Sequence, residues 1–268
     1  MNGGDAIASA SSSAGSTSPL LTDTHAHICS AEFEADREAV LARAVRNGIG
    51  AIVAVGEDLA DAHKNMALAR QFPVLKPAAG LYPTHLDREA ADEMVAFIRA
   101  HRAALHAIGE VGLDFWIVKT EEERSVQREI FARFIALSVE LALPLNVHSR
   151  SAGRHVVALL IREGAERVQL HAFDGKFSAA RPALEAGYFF SIPPAIVRSR
   201  QKQKLVRHLP LENLLVETDS PVLGPETGVR NEPANLALAI RAIADIKGVS
   251  AAQVIEAVMA NTLRLYGF

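Results

Sequence analysis

The sequence predicts a single-domain α/β protein, a (β/α)8 or TIM barrel, on three observations. Short apolar runs alternate with helical ones eight times between Asp23 and the C-terminus. The chain has 268 residues, against the roughly 250 that such barrels commonly need. No interior stretch rich in Gly, Pro or Ser, and no break in composition, divides it. Alternation of this kind calls for a parallel sheet with helices outside it. An open doubly wound sheet is the competing arrangement.

The elements follow from period and punctuation. Asp23 to Ile28 (DTHAHI) is the first strand. Glu32 to Asn47 carries Phe33, Val40, Leu41 and Ala44 on one helical face, and Gly48 closes it. Gly50 to Gly56 is a buried strand, Leu59 to Gln71 a helix and Val74 to Leu81 the third strand. Asp87 to Ala103 is a helix whose acidic start suits the positive end of its dipole, and Ala107 to Leu113 is the fourth strand. Glu121 to Leu141, the longest helix, opens on three Glu and spaces Ile130, Phe131, Phe134, Leu137 and Leu141 along one face. Pro144 stops it, and Leu145 to His148 is the fifth strand. Then come helix Ser151 to Glu163, strand Val168 to Phe173, helix Ser178 to Ala186, strand Tyr188 to Ile192, helix Ser199 to His208 and strand Leu214 to Thr218. Helices Asn235 to Lys247 and Ala251 to Leu265 finish the chain.

Composition narrows the function. Hydrophobic residues make up 49% of the chain, enough for a sizeable core. A net charge of −3 argues against coating long stretches of nucleic acid by bulk attraction, while leaving room for a local phosphate pocket. The single cysteine, Cys29, forbids an internal disulfide and fits a reducing, cytoplasmic setting. No apolar run approaches the roughly 18 to 20 residues of a membrane span. Met1 to Ser18 is rich in Ser, Ala and Gly without a basic start, and reads as a disordered leader rather than a secretory signal. The folded domain is then 19–268.

His25 and His27, two apart on a strand, aim at one point. Glu110 lies on the fourth strand, His148 at the end of the fifth, His171 on the sixth and Asp219 just past the eighth. Any one of these could be a packing or turn residue. In a barrel, however, groups near the strand C-termini face a common mouth, and their joint placement at that end predicts a metal site.

DTHAHI, GEVGLDF (Gly109 to Phe115), NVHSR (Asn146 to Arg150), HAFDG (His171 to Gly175), ETDSP (Glu217 to Pro221) and RNEP (Arg230 to Pro233) resemble the successive signatures of the TatD family of metal-dependent deoxyribonucleases, in the amidohydrolase superfamily. The longer runs NVHSRSAGR, LHAFDG, GYFFSIPP and RSRQKQKLV are similar to one branch of it, that of TatD domain-containing protein 3. The resemblance implies two divalent metal ions, one held by His25, His27 and Asp219, the other by His148 and His171, with Glu110 bridging. Mixed imidazole and carboxylate donors favour Zn, Mn, Fe or Ni, with Mg admissible. Related amidohydrolases often bridge with a modified Lys on strand four, where this chain has Glu110.

The expected activity is hydrolysis of DNA phosphodiester bonds, by exonucleolytic trimming of single strands or ends, since a barrel mouth suits a strand end better than an intact duplex. Asp219 is the candidate acceptor for the water proton, with Glu110 the second catalytic group. Glu217 suits orienting a ligand or the attacking water and, equally, a barrel-interior salt bridge, while Asp114 suits anchoring the strand-four loop or a ligand. Arg150, Lys202, His85 and Arg230 are candidate substrate contacts, although Arg230 equally suits bracing of its own loop. Of Arg198, Arg200, Lys202 and Lys204, most belong to a solvated helix face, and Lys202 alone would suffice as a point charge for phosphate. Phe115 and Trp116 suit packing over the rim first and base stacking second. No role is assigned to Asp174 or to the remaining histidines. The alternatives are an amidohydrolase, lactonase or phosphotriesterase acting on a small molecule at the same site, and a metal-bearing binding protein without turnover.

Overall fold

The computed structural model describes residues 21–268, so the leader expected over Met1 to Ser18 lies outside the described residues. The strands are β1 (Leu21–Ala26), β2 (Ile49–Ala54), β3 (Leu75–Ala79), β4 (Ala107–Gly112), β5 (Leu145–His148), β6 (Val168–Leu170), β7 (Phe189–Ile192) and β8 (Leu214–Val216). The helices are α1 (Arg37–Arg46), α2 (Leu59–Gln71), α3 (Arg88–Ala100), α4 (Glu121–Leu141), α5 (Gly153–Arg162), α6 (Phe177–Glu185), α7 (Arg200–His208), α8 (Leu236–Lys247) and α9 (Ala251–Tyr266). The strands lie in sequence order, each parallel to the next. This is a nearly closed (β/α)8 barrel.

Two-residue periodicity sorts the core into layers. On β2, Ile52 and Ala54 pack with the helices while Val53 and Val55, the latter just past its end, enter a separate interior cluster; on β8, Leu214 and Val216 face outward and Leu215 inward. Ala78, Ala107, Phe189, Leu265 and Tyr266 complete this cluster. The inward positions nearer the mouth are polar instead: Asp23, His25, Asn146, His148, Gln169, His171, Ser191 and Glu217 are all buried. The lower barrel is thus oil-filled and the upper barrel is wired.

Glu110 breaks this parity. It stands two residues after Ile108, which belongs to the outer cluster, and a shift of register between Ile108 and Val111 turns it inward. Close approach of β4 to β5 depends on glycine. Gly112 has φ +146°, and a Cβ there would lie 2.1 Å from the carbonyl oxygen of His148.

Closure between β8 and β1 is made differently from the other seams. The ladders run from β1 to β8; at the join, Thr24 donates to the Val216 carbonyl (3.0 Å) and the Thr218 N–H to Asp23 Oδ1 (2.8 Å). Past the end of β8, Asp219 N–H reaches the His25 carbonyl and the Ser220 carbonyl accepts the His27 N–H, both at 2.8 Å.

Most expected elements lie within a residue or two of their places. The expected helix from Glu32 begins instead at Arg37, after a short 3-10 turn over Ala31–Phe33 that Ser30 caps. The sixth strand stops at Leu170, because Ala172 takes φ 39° and turns the chain away. Pro182 sits at the sixth residue of α6, past the N-terminal N–H groups that lack partners, so it leaves the Ser178 carbonyl without its helical donor.

Candidate metal centre

The six expected donors converge at the strand C-termini, carried by β1 and its extension, β4, β5, and the residues following β6 and β8. His25 Nε2 lies 3.3 Å from His27 Nε2, 3.3 Å from Asp219 Oδ1 and 3.6 Å from Glu110 Oε2. His27 Nε2 lies 3.2 Å from Glu110 Oε2 and 3.7 Å from Asp219 Oδ1. Donors at bond lengths near 2.1 Å on a tetrahedron stand about 3.4 Å apart, so His25, His27 and Glu110 fit one ion, with Asp219 Oδ1 at similar distances from both imidazoles. The other oxygen of Glu110 serves a second set: Oε1 is 2.7 Å from His148 Nδ1 and 3.2 Å from His171 Nε2. One carboxylate therefore faces two donor groups with one oxygen each.

Hydrogen bonds behind the ring nitrogens decide which lone pairs face inward. Asn146 Nδ2 donates to the Thr24 carbonyl (2.9 Å), which turns its Oδ1 to His25 Nδ1 (2.8 Å). A carbonyl only accepts, so His25 carries its proton on Nδ1 and presents a bare Nε2. Asp114 Oδ2, 3.0 Å from His148 Nε2, fixes the opposite tautomer there and leaves Nδ1 bare toward Glu110. A bare nitrogen 2.7 Å from a carboxylate oxygen, and two imidazole nitrogens 3.3 Å apart, are each repulsive without a shared cation. The donor chemistry thus calls for positive charge at both places.

The electrostatics agree. Where protons rather than a cation meet the carboxylates, burial opposes charge on Glu110, yet the neighbouring His171 and His25 and the hydrogen bonds that protonated His148 and His171 then donate hold its carboxyl well below the usual range. Asp219 is lowered too, burial being outweighed by His171, His25 and His27. Burial would depress the imidazoles, but the carboxylates around His27, His148 and His171 push all three up. A divalent ion competes with those protons for the same lone pairs.

Glu217 takes no place in either set. Its Oε1 accepts the Ala172 N–H (2.8 Å) and its Oε2 the Ser191 hydroxyl (2.5 Å), so it holds the turn after His171 while facing His171 Nδ1 at 3.5 Å. The sequence does not announce the remaining members of this network. Tyr266, at the very end of the last helix, donates to Gln169 Oε1 (2.6 Å), and Gln169 Nε2 donates to Ser191 (2.8 Å). Tyr82 lines the mouth with its ring 5.1 Å from that of His148. Asp219 at φ 55° and Ala172 at φ 39° occupy the left-handed region beside the donors, strain that the bonds from Asp219 N–H and Ala172 N–H offset.

Two adjoining cavities open over the centre, of about 530 and 370 Å³, and both are lined by His148, His171, Asp219, Tyr82 and Arg150. Lys202 lines the smaller one, buried, with its Nζ donating to the Ala172 carbonyl (2.8 Å). Burial lowers its pKa against the pull of Glu217, Asp174 and Asp219. Asp174 lines the same cavity and accepts the Ser151 N–H (2.9 Å). Two expected substrate contacts sit elsewhere. Arg230 is engaged by Asp36 (2.6 Å) and the Glu32 carbonyl (2.6 Å), which braces its loop against the start of α1. His85 is exposed and lines neither cavity; Tyr82 from the same loop does.

Fold and donors together define a (β/α)8 barrel with an imidazole and carboxylate metal-binding mouth. The chain belongs to the family described as TatD related DNase, whose model matches residues 22–267. It is similar to the human "Deoxyribonuclease TATDN3", 43% identical over 258 residues, covering 92% of this chain and 94% of that one. It is 30% identical over 260 residues to the "3'-5' ssDNA/RNA exonuclease TatD" of Escherichia fergusonii, covering 91% and 98%. The crystal structure of the TatD homolog YJJV from Escherichia coli matches at a TM-score of 0.85 and 26% identity, covering 92% and 98%.

Proposed function

We propose that this protein is a metal-dependent hydrolase that cleaves DNA phosphodiester bonds, trimming single strands or strand ends. The observation that carries the reading is the division of Glu110, Oε2 toward His25 and His27 and Oε1 toward His148 and His171. His25, His27 and Asp219 would hold one divalent ion and His148 and His171 the other, with Glu110 shared between them; the donors favour Zn, Mn, Fe or Ni over Mg. Bound there, such ions supply Lewis-acid charge and make water more acidic. Asp219, ionised and open to both cavities, accepts the proton of the attacking water. Lys202 and Arg150 supply the positive charge that meets the phosphate. Among the described residues no helix is long and apolar enough to cross a membrane, and the buried free thiol of Cys29 suits a reducing cytoplasm.

The test is one assay panel. The chain is stripped with a chelator, restored with single divalent ions, and given labelled single-stranded and duplex oligonucleotides beside amides, lactones and small phosphotriesters. Metal content near two ions per chain with restored cleavage of single strands is the expected result. Turnover of the small molecules with intact oligonucleotides sinks the nuclease reading.

A further inference from the structure

The loop between β4 and α4 carries an aromatic side chain that the metal centre leaves unused. Its backbone is pinned at several points. Asp114 Oδ1 accepts the N–H groups of Trp116 and Ile117, each at 2.8 Å. Phe115 N–H donates to the Arg150 carbonyl (3.0 Å), and Arg124 Nε to the Val118 carbonyl (3.1 Å). Phe115 itself packs inward at 9% exposure, with the Arg124 guanidinium 4.3 Å from its ring centre. Trp116 points the other way and is 55% exposed. The loop bonds at residue 116 use only its main chain, so the indole is not needed to build the loop. A fixed backbone presenting a half-exposed indole is preorganised for a flat ligand.

The surroundings select the ligand. Arg150 Cζ and Lys119 Nζ each stand over the indole, 5.2 Å from its centre, in cation-π contact with a side chain that remains more than half exposed. Arg150 also lines both cavities with His148, His171 and Asp219. One guanidinium therefore reaches the metal mouth and the indole together. A molecule that is anionic in the cavity and aromatic just outside it is a nucleotide.

We propose that Trp116 is a stacking platform for the nucleobase beside the scissile phosphate of a single strand, with Arg150 gripping the phosphate between them. This rests on the nuclease reading and adds a preference to it. Bases paired in a duplex do not offer a free face, so the platform favours unpaired ends.

Trp116 is the only tryptophan of the chain, so its emission reports this one position. The metal-restored protein is titrated with an uncleavable phosphorothioate octathymidylate, and with a strand of equal length and charge whose bases are removed. Saturable quenching by the first and not the second is expected. Equal quenching by both, or none while labelled thymidylate is bound by anisotropy, overturns the proposal. In steady state, Trp116→Ala should raise KM for natural single strands about 5- to 150-fold, the equivalent of one stacked base. Trp116→Phe should retain most of the affinity, and cleavage of the abasic strand should be the same in all three proteins. If wild type cuts both strands and Trp116→Ala matches it on both, the platform alone is wrong. If wild type cuts neither, the nuclease reading falls and the platform with it.

Discussion

Asn146 illustrates how much of the metal centre is decided one atom behind it. Its amide is locked by the Thr24 carbonyl, and that lock sets the proton of His25 on Nδ1. Asn146→Leu leaves a buried N–H without an acceptor and frees the ring to change tautomer. Metal affinity, measured by competition with a chromogenic chelator, should fall about 10- to 100-fold while the far-ultraviolet circular dichroism stays unchanged. An unchanged affinity would show that the tautomer is set elsewhere. The donors themselves were legible in the sequence, because His, Glu and Asp at strand ends stand out against apolar runs. Asn146, Gln169 and Tyr266 were not, because each is a single polar or aromatic residue whose partner lies far away along the chain, as Asn146 lies 122 positions from Thr24. For Arg230 the signature motif was readable, but only the fold reveals that Asp36 occupies its guanidinium.

At the scale of elements, the helices obey local rules and were readable for that reason. α4 begins where Thr120 and Glu123 form a reciprocal capping box, and α9 where Ser250 and Gln253 do the same. The start of α1 was misjudged because Phe33 shares its helical face but belongs to a separate capped turn. Strand ends blurred for another reason: the residues after β6 and β8 keep strand-like sequence while hydrogen bonds to Glu217 and to β1 bend them into the mouth. Between α3 and α4 the joint is ionic as well as apolar. Arg88 of α3 crosses to Glu129 of α4 at 2.8 Å, and Arg133, one turn along α4, grips the same carboxylate at 2.7 Å. Their hydrogen bonds, Arg88 first, pull its carboxyl down to about 2. A carboxyl lowered by folding stabilises above its unfolded value near 4.5 and loses that contribution as pH falls toward 2. Chemical denaturation of wild type and Glu129→Gln should therefore differ slightly at pH 7, converge between about pH 4.5 and 2, and coincide below. Because the pair is exposed, added salt should shrink the difference. A gap that persists at pH 2 would mean that the substitution acts through packing.

For the whole molecule the question is what keeps the barrel shut at the join of first and last strands. Seven neighbouring pairs are laddered, whereas β8 meets β1 through Asp23, Thr24 and Thr218 and two main-chain bonds past the end of β8. His25 and His27 stand on one side of that join and Asp219 on the other, within 3.7 Å. An ion held by all three would clamp that join. Binding to the folded chain alone at 100 times its dissociation constant stabilises by about 2.7 kcal/mol. For a domain of this size that corresponds to a rise of about 5 to 10 °C in Tm. Chelation should lower Tm by that amount, and the loss should be local before it is global. In hydrogen exchange, amides of β1 and β8 should lose protection on metal removal well before those of β2 and β3, whose ladder carries no ion. Uniform loss around the barrel would mean that the metal stabilises the fold only as a whole, and that the side chains at the seam suffice to hold it.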